Sequence, residues 1–206
     1  MRRFILDRFY LFKFKKTDKQ RGNIILLILK LWDNLSKKGI SKYDKLLNVC
    51  LYSSLTNRDI YYLAEYYYFQ KNTSRKNFFG RFLCMSIIEF LEDINIMLGK
   101  ELLVELENND MMVFLEPVKK LNKAYADLKK KYNKELKIIR NNASAHKNRD
   151  AKYLINFHLA LSINNLTEIG YNIGKLESHF DFITNLIITE MTYQIKESKL
   201  KYNSSQ

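Results

Sequence analysis

Proline and glycine are scarce in this chain, with one Pro and six Gly in 206 residues. The tight corners of many-stranded sandwiches and barrels draw on both residues, so those folds are disfavoured and long helices expected. Cysteine is nearly missing too. Cys50 and Cys84 stand apart from each other and from the histidines, with no Cys-x-x-Cys pair. That argues against a disulfide scaffold and against zinc, and both thiols read as buried in a reducing compartment. No long apolar run exists: Ile24 to Leu29 is closed by Lys30 and Asp33, well short of the roughly 20 residues that span a bilayer. The start, Met1 to Arg8, opens like a signal peptide but is interrupted by Asp7, Arg8 and Lys13, so a cytoplasmic protein without a membrane segment is expected. There is no glycine-rich phosphate loop, Ser-His-Asp set or internal repeat, and no cofactor is implied.

What is abundant is apolar and basic. A hydrophobic content of 47% over this length supplies one ordinary core, in a single domain or a domain with a helical extension. The formal charge of +13 points to an acidic partner such as nucleic acid. The same lysine excess, alongside Asn, Ile and Tyr, also follows from AT-rich coding.

Apolar spacing predicts helices throughout. The first, about 21–38, places Ile24, Leu27, Ile28, Leu31 and Leu35 on one face and ends at Gly39. A second starts near Ser41, with a break expected at Thr56-Asn57, and runs through the tyrosine-dense stretch Tyr61 to Phe69. Those tyrosines read as core-packing rings, with base stacking as the other possibility. The polar run Gln70 to Asn77 is expected to be a loop. A helix over about 77–99 follows, with Phe79, Leu83, Ile87, Phe90, Leu91, Ile94 and Met97 inward. Its Glu89, Glu92 and Asp93 share one side, read as a solvated or ion-paired face in preference to a metal site. A short helix ends at Asn108-Asn109-Asp110, and another starts near Pro117. Two amphipathic segments close the chain. The first, about 150–168, carries Leu154, Phe157 and Leu161; the second, about 171–198, carries Ile173, Leu176, Phe180, Ile183, Ile187 and Met191, with fraying from Lys199. His158 and His179, each beside a phenylalanine, read as packed side chains.

The helix after Pro117 carries the chemistry. Leu121, Tyr125, Leu128, Tyr132 and Leu136 form its apolar face, and Lys119, Lys120, Lys123, Lys129, Lys130, Lys131, Lys134 and Lys137 its polar one. This stripe leads to Arg140-Asn141 and His146-Lys147. Arg is a fixed planar cation that grips phosphate oxygens while negative charge builds on phosphorus, and His exchanges a proton near neutral pH. Those are the two functions that metal-free RNA cleavage requires. Asn141 can hold either side chain by hydrogen bonds. On an unbroken helix Arg140 and His146 would lie roughly 120° apart around the axis and about 9 Å along it. A turn at Asn141-Asn142 would let both address one phosphate. Lys134, Lys137 and Lys147 are the candidate substrate contacts, and Glu89 a candidate to orient Arg140.

Arg140, Asn141 and His146 resemble the motif of the HEPN superfamily (higher eukaryotes and prokaryotes nucleotide-binding), whose ribonucleases carry Arg, a polar residue and then His near the end of a long helix. The resemblance covers about 77–196 and implies an all-α bundle with a four-helix core, preceded by 1–76 as an N-terminal helical extension packed on the same domain and followed by a frayed 197–206. It further implies a metal-independent endoribonuclease, a toxin or anti-phage abortive-infection effector. In such an enzyme Arg140, Asn141 and His146 are catalytic, RNA is the substrate, and a homodimer holds a composite active site; an antitoxin or defence partner is also implied. Some relatives place a modified Tyr two residues after the His. Asn148 stands there instead, which removes support for that regulation. The competing reading is a non-catalytic helical module that binds RNA, a nucleotide or a protein.

Overall fold

The computed structural model describes residues 2–140 and 163–204. They form six α-helices and a 3-10 turn, with no strand among the described residues. The helices are α1 (Arg2–Ser36), α2 (Asp44–Phe69), α3 (Thr73–Met97), α4 (Lys100–Asn108), α5 (Leu115–Arg140) and α6 (Ile163–Ser204); the 3-10 turn, Met112–Phe114, precedes α5. The chain is thus an all-α bundle, as its shortage of turn residues predicts. No helix among the described residues is long and apolar enough to cross a membrane.

Several boundaries differ from expectation, each for a local reason. α1 begins at Arg2, far before residue 21. α2 runs through Thr56-Asn57 unbroken. There the Asn57 amide bonds to Ser53 Oγ within the helix at 3.1 Å, and Arg21 bonds to the Asn57 carbonyl at 2.8 Å. Only Gln70–Asn72 of the polar run is a turn, because the Asn72 side chain accepts the Arg75 amide at 3.0 Å and caps α3. The break expected between the final two segments is absent, since α6 is one helix from Ile163 through Gly170 and Gly174 and continues past Lys199, while the part of the 150–168 segment before Ile163 lies outside the described residues.

Two helix ends share one device. After α1, Gly39 takes a φ of 68° while the Ile40 amide reaches back to Leu35 and the Gly39 amide to Ser36. This is a Schellman stop, expected from the Gly39 position. After α4, Asp110 takes the same left-handed conformation at φ 57°, with Met111 bonding back to Leu106. Met111 and Leu106 are both buried, supplying the apolar contact that accompanies such a stop. Gly99, between α3 and α4, is needed for space: a Cβ there would stand 2.8 Å from the Ile96 carbonyl oxygen.

The start of α2 has no side-chain cap of its own, since Tyr43 occupies that position. Glu105 of α4 takes the role, accepting the Lys45 and Leu46 amides at 2.8 Å each. A carboxylate on exposed helix-start amides also meets the positive end of the α2 dipole. Asn109 ties the same corner together through the Lys42 carbonyl and, by its own carbonyl, Gln194 of α6.

One apolar core joins all six helices. Ile28 of α1 and Leu46, Leu47 and Cys50 of α2 belong to the same cluster as Ile87, Phe90 and Leu91 of α3, Tyr125 of α5 and Phe180, Ile187 and Met191 of α6. Cys50 and Cys84 are free, buried thiols, each pushed up to about 12 by loss of solvent. The expected apolar face of α1 is only half used, because Ile24 and Leu27 stay exposed while Ile25, Ile28 and Leu35 turn inward.

Candidate functional site

α5 is amphipathic as its spacing predicts: Leu121, Tyr125, Leu128, Tyr132 and Leu136 are buried. Lys119, Lys120, Lys123, Lys130, Lys131 and Lys134 are exposed on the other side, with Lys129 half-buried. The described part of the helix runs to Arg140. Two contacts fix its direction against α3. Asn122 donates to the Leu98 carbonyl at 3.3 Å, and the rings of Tyr125 and Phe90 meet edge to face at 5.7 Å. As α5 advances, its α3 neighbours fall in number, so the helices are antiparallel and the last turn of α5 reaches the level of the first turns of α3. On the other side Tyr132 donates to Glu168 at 2.6 Å and accepts from Asn172 at 3.2 Å, with Lys131 on Glu168 at 2.8 Å. That pairing sets the start of α6 beside the end of α5. One end of the bundle therefore gathers the finish of α2 and α5 with the start of α3 and α6.

Of the expected site residues, Asn141, His146 and Lys147 lie outside the described residues, as does His158. Arg140 and Lys137 are on α5, where only their helical backbone is described, and Lys134 is exposed on its polar side. Glu89 is exposed on α3, next to Phe90 and hence near the level of Tyr125. From Tyr125 to Arg140 is about 22 Å of helix axis, so the register does not bring Glu89 and Arg140 together. Asp93 of the acidic trio accepts a 2.6 Å bond from Tyr52. His179 is exposed and not packed, because its position on α6 faces away from buried Phe180. The tyrosines of α2 divide: Tyr67 is buried, Tyr61 and Tyr62 are half-buried, and Tyr66 and Tyr68 are exposed.

Two features escape the motif search. The first is a groove of about 560 Å³ between α1, α2, α3 and α6, floored by Ile60, Leu83, Ile87 and Ile173. Gly170 and Gly174 form one wall, and nothing lies within 4 Å of where a Gly174 Cβ would stand. Arg21 spans it, bonded to Glu177 at 2.5 Å and resting 4.5 Å over the Tyr61 ring. Burial pushes the Glu177 carboxyl above the usual range, more than neighbouring Arg21 lowers it. The small-residue pair four apart in an apolar helix was the available signal. The second is an exposed ring cluster, Phe78 and Phe82 of α3 with Tyr66 of α2, at the bundle end described above; its signal is the alternation of basic and aromatic residues from Arg75 to Phe82. Among the described residues no group of three or more His, Cys, Asp or Glu side chains converges as metal ligands would. No family model matches the chain, and comparison with curated proteins and with solved structures finds no match either.

Proposed function

We propose that this chain is a metal-independent endoribonuclease of the HEPN type, acting as a toxin or as an anti-phage abortive-infection effector. The observation that supports the reading is that Arg140, the first residue of the Arg-Asn…His motif, stands in the last described turn of a lysine-faced helix within an all-α bundle. A polyanion drawn along the exposed lysines of α5 is brought toward Arg140. The ribose 2′-hydroxyl attacks the adjacent phosphorus, and the 5′-oxygen of the next nucleotide leaves. His146 moves a proton to or from these oxygens, and Arg140 neutralises the charge that develops on the phosphoryl oxygens. One histidine per chain supplies half of the acid–base pair; a two-fold dimer that brings two motifs to one cleft supplies both.

His146→Ala and Arg140→Ala are each expected to slow cleavage of RNA by at least about 10²-fold, the scale of losing a general acid–base group or a charge stabiliser, with helical circular dichroism unchanged. Full activity in either purified variant would falsify the assignment.

A further inference from the structure

The end of the bundle that α5 reaches at Arg140 carries a second feature with its own chemistry. Phe78 and Phe82 stand one turn apart on α3 and are 45% and 43% exposed, and Tyr66 across from them on α2 is 57% exposed. Their rings form a continuous path: Phe82 to Phe78 at 4.8 Å, Phe78 to Phe79 at 5.6 Å, and Phe79 stacked on Tyr66 at 5.0 Å. Leaving three large rings in water is costly, and a contiguous exposed apolar patch marks a surface that something covers.

Charge says what. Between Glu65 and Glu89 the chain has no acidic residue, while Lys71, Arg75, Lys76 and Arg81 all fall there. Lys71 and Arg75 are exposed, and among the described residues neither they nor Lys76 pair with a carboxylate. Lys76 lies 5.1 Å over the Tyr67 ring and Arg81 5.6 Å from the centre of the Phe78 ring, so cations and ring faces interleave. An anionic membrane surface or an acidic protein would also answer the cations Lys71, Arg75 and Lys76, but has no run of flat faces to lay on the rings. A strand of unpaired nucleotides gains from both: its bases have flat faces that stack on rings, and its phosphates meet the cations. Paired bases hide those faces. The acidic residues of α3 resume only at Glu89, about 10 Å beyond Phe82 along the helix, which gives the platform an outer limit.

We infer that Phe78, Phe82 and Tyr66, with Lys71, Arg75 and Lys76, form a stacking platform for an unpaired nucleic-acid strand at the end of the bundle that gathers the finish of α2 and the start of α3. That the strand is RNA rests on the proposed activity; the platform itself does not.

The test is fluorescence-anisotropy titration of the full-length His146→Ala chain with a labelled 2′-O-methyl oligouridine, which cannot be cleaved. Phe78→Ala and Phe82→Ala are each expected to weaken binding by about tenfold, the loss of one base–ring stack, and Arg75→Glu/Lys76→Glu by at least as much. Lys37→Glu/Lys38→Glu, the same charge change at the opposite end of the bundle, is expected to alter it less than about threefold. Single-stranded DNA is expected to bind comparably, and a duplex of the same sequence at least about tenfold more weakly. Equal affinity for the duplex, or unchanged affinity in the phenylalanine variants, overturns the platform. So does a sedimentation shift in those variants showing that the rings join two copies of the chain. If an alanine variant loses its helical signal, Phe82→Trp decides: quenching of the added indole emission by the oligouridine supports the platform, and unchanged emission overturns it. The two readings fail separately. A wild-type chain that binds strands through the rings yet never cuts them retains the platform without the nuclease. A chain that cuts RNA with KM unchanged by Phe78→Ala retains the nuclease without the platform.

Discussion

Tyr125 brings a hydroxyl into a part of the core where no described group answers it. The ring is fully buried and packs edge to face on Phe90, and the hydroxyl has no hydrogen-bond partner among the described residues. Burial holds the phenol far above its ordinary pKa. A lost hydrogen-bonding opportunity in such a site costs more than the hydroxyl returns, so Tyr125→Phe keeps the ring contacts and removes the penalty. The variant is expected to gain about 1 kcal/mol, seen as a higher urea midpoint with an unchanged slope. A loss of stability would show that the hydroxyl has a partner after all.

At the scale of elements, α1 is held by its buried Ile25, Ile28 and Leu35 and, on its polar side, by Arg21. That side chain bonds to the Asn57 carbonyl of α2 and to Glu177 of α6, at the rim of a groove left open by two glycines. Breaking a buried pair from one side strands the other charge. Arg21→Met is therefore expected to cost roughly 2–3 kcal/mol at neutral pH, below the value for a fully enclosed pair because both partners keep some solvent. The sign of its pH dependence follows from Glu177. Its folded pKa already lies above the unfolded one, so the folded state holds the proton more tightly and this group favours folding as pH falls, losing that contribution as pH rises through the raised value. Without Arg21 the shift grows, so the deficit of Arg21→Met against wild type is expected to be smaller at pH 5 than at pH 7.5. Denaturation at the two pH values measures it, and Arg21→Met/Glu177→Leu is expected to recover most of the loss.

For the whole molecule, the charge of +13 and the proposed chemistry make two demands. Cleavage is expected to survive excess EDTA and to leave a 2′,3′-cyclic phosphate or its opened product on the 5′ fragment. A strict Mg²⁺ requirement with 3′-hydroxyl ends would move attention to the Glu89, Glu92 and Asp93 side of α3. The need for both an acid and a base predicts a dimer, so sedimentation at micromolar concentration is expected to give about twice 24.7 kDa. A fully active monomer would mean that one chain holds both groups, with His158 the first residue to mutate.

Helical class, the inward face of α5 and the stops at Gly39 and Asn108–Asp110 were legible in the residues, because apolar spacing and left-handed turn positions are local properties. The α1 start, the unbroken passage through Asn57 and the continuity of α6 from Ile163 past Gly170 and Gly174 were not, because neighbours override weak local breakers: Arg21 supports the α2 backbone at Asn57, and packing carries α6 through two glycines. The candidate motif at Arg140 is a reading of the residues alone, whereas the level of Glu89 against α5 depends on an antiparallel register fixed by Asn122, Phe90 and Tyr125. Likewise, which tyrosines of α2 are buried and which phenylalanines of α3 are left in water was decided only when α2 and α3 packed, because a ring's exposure belongs to the pair of surfaces and not to either helix alone.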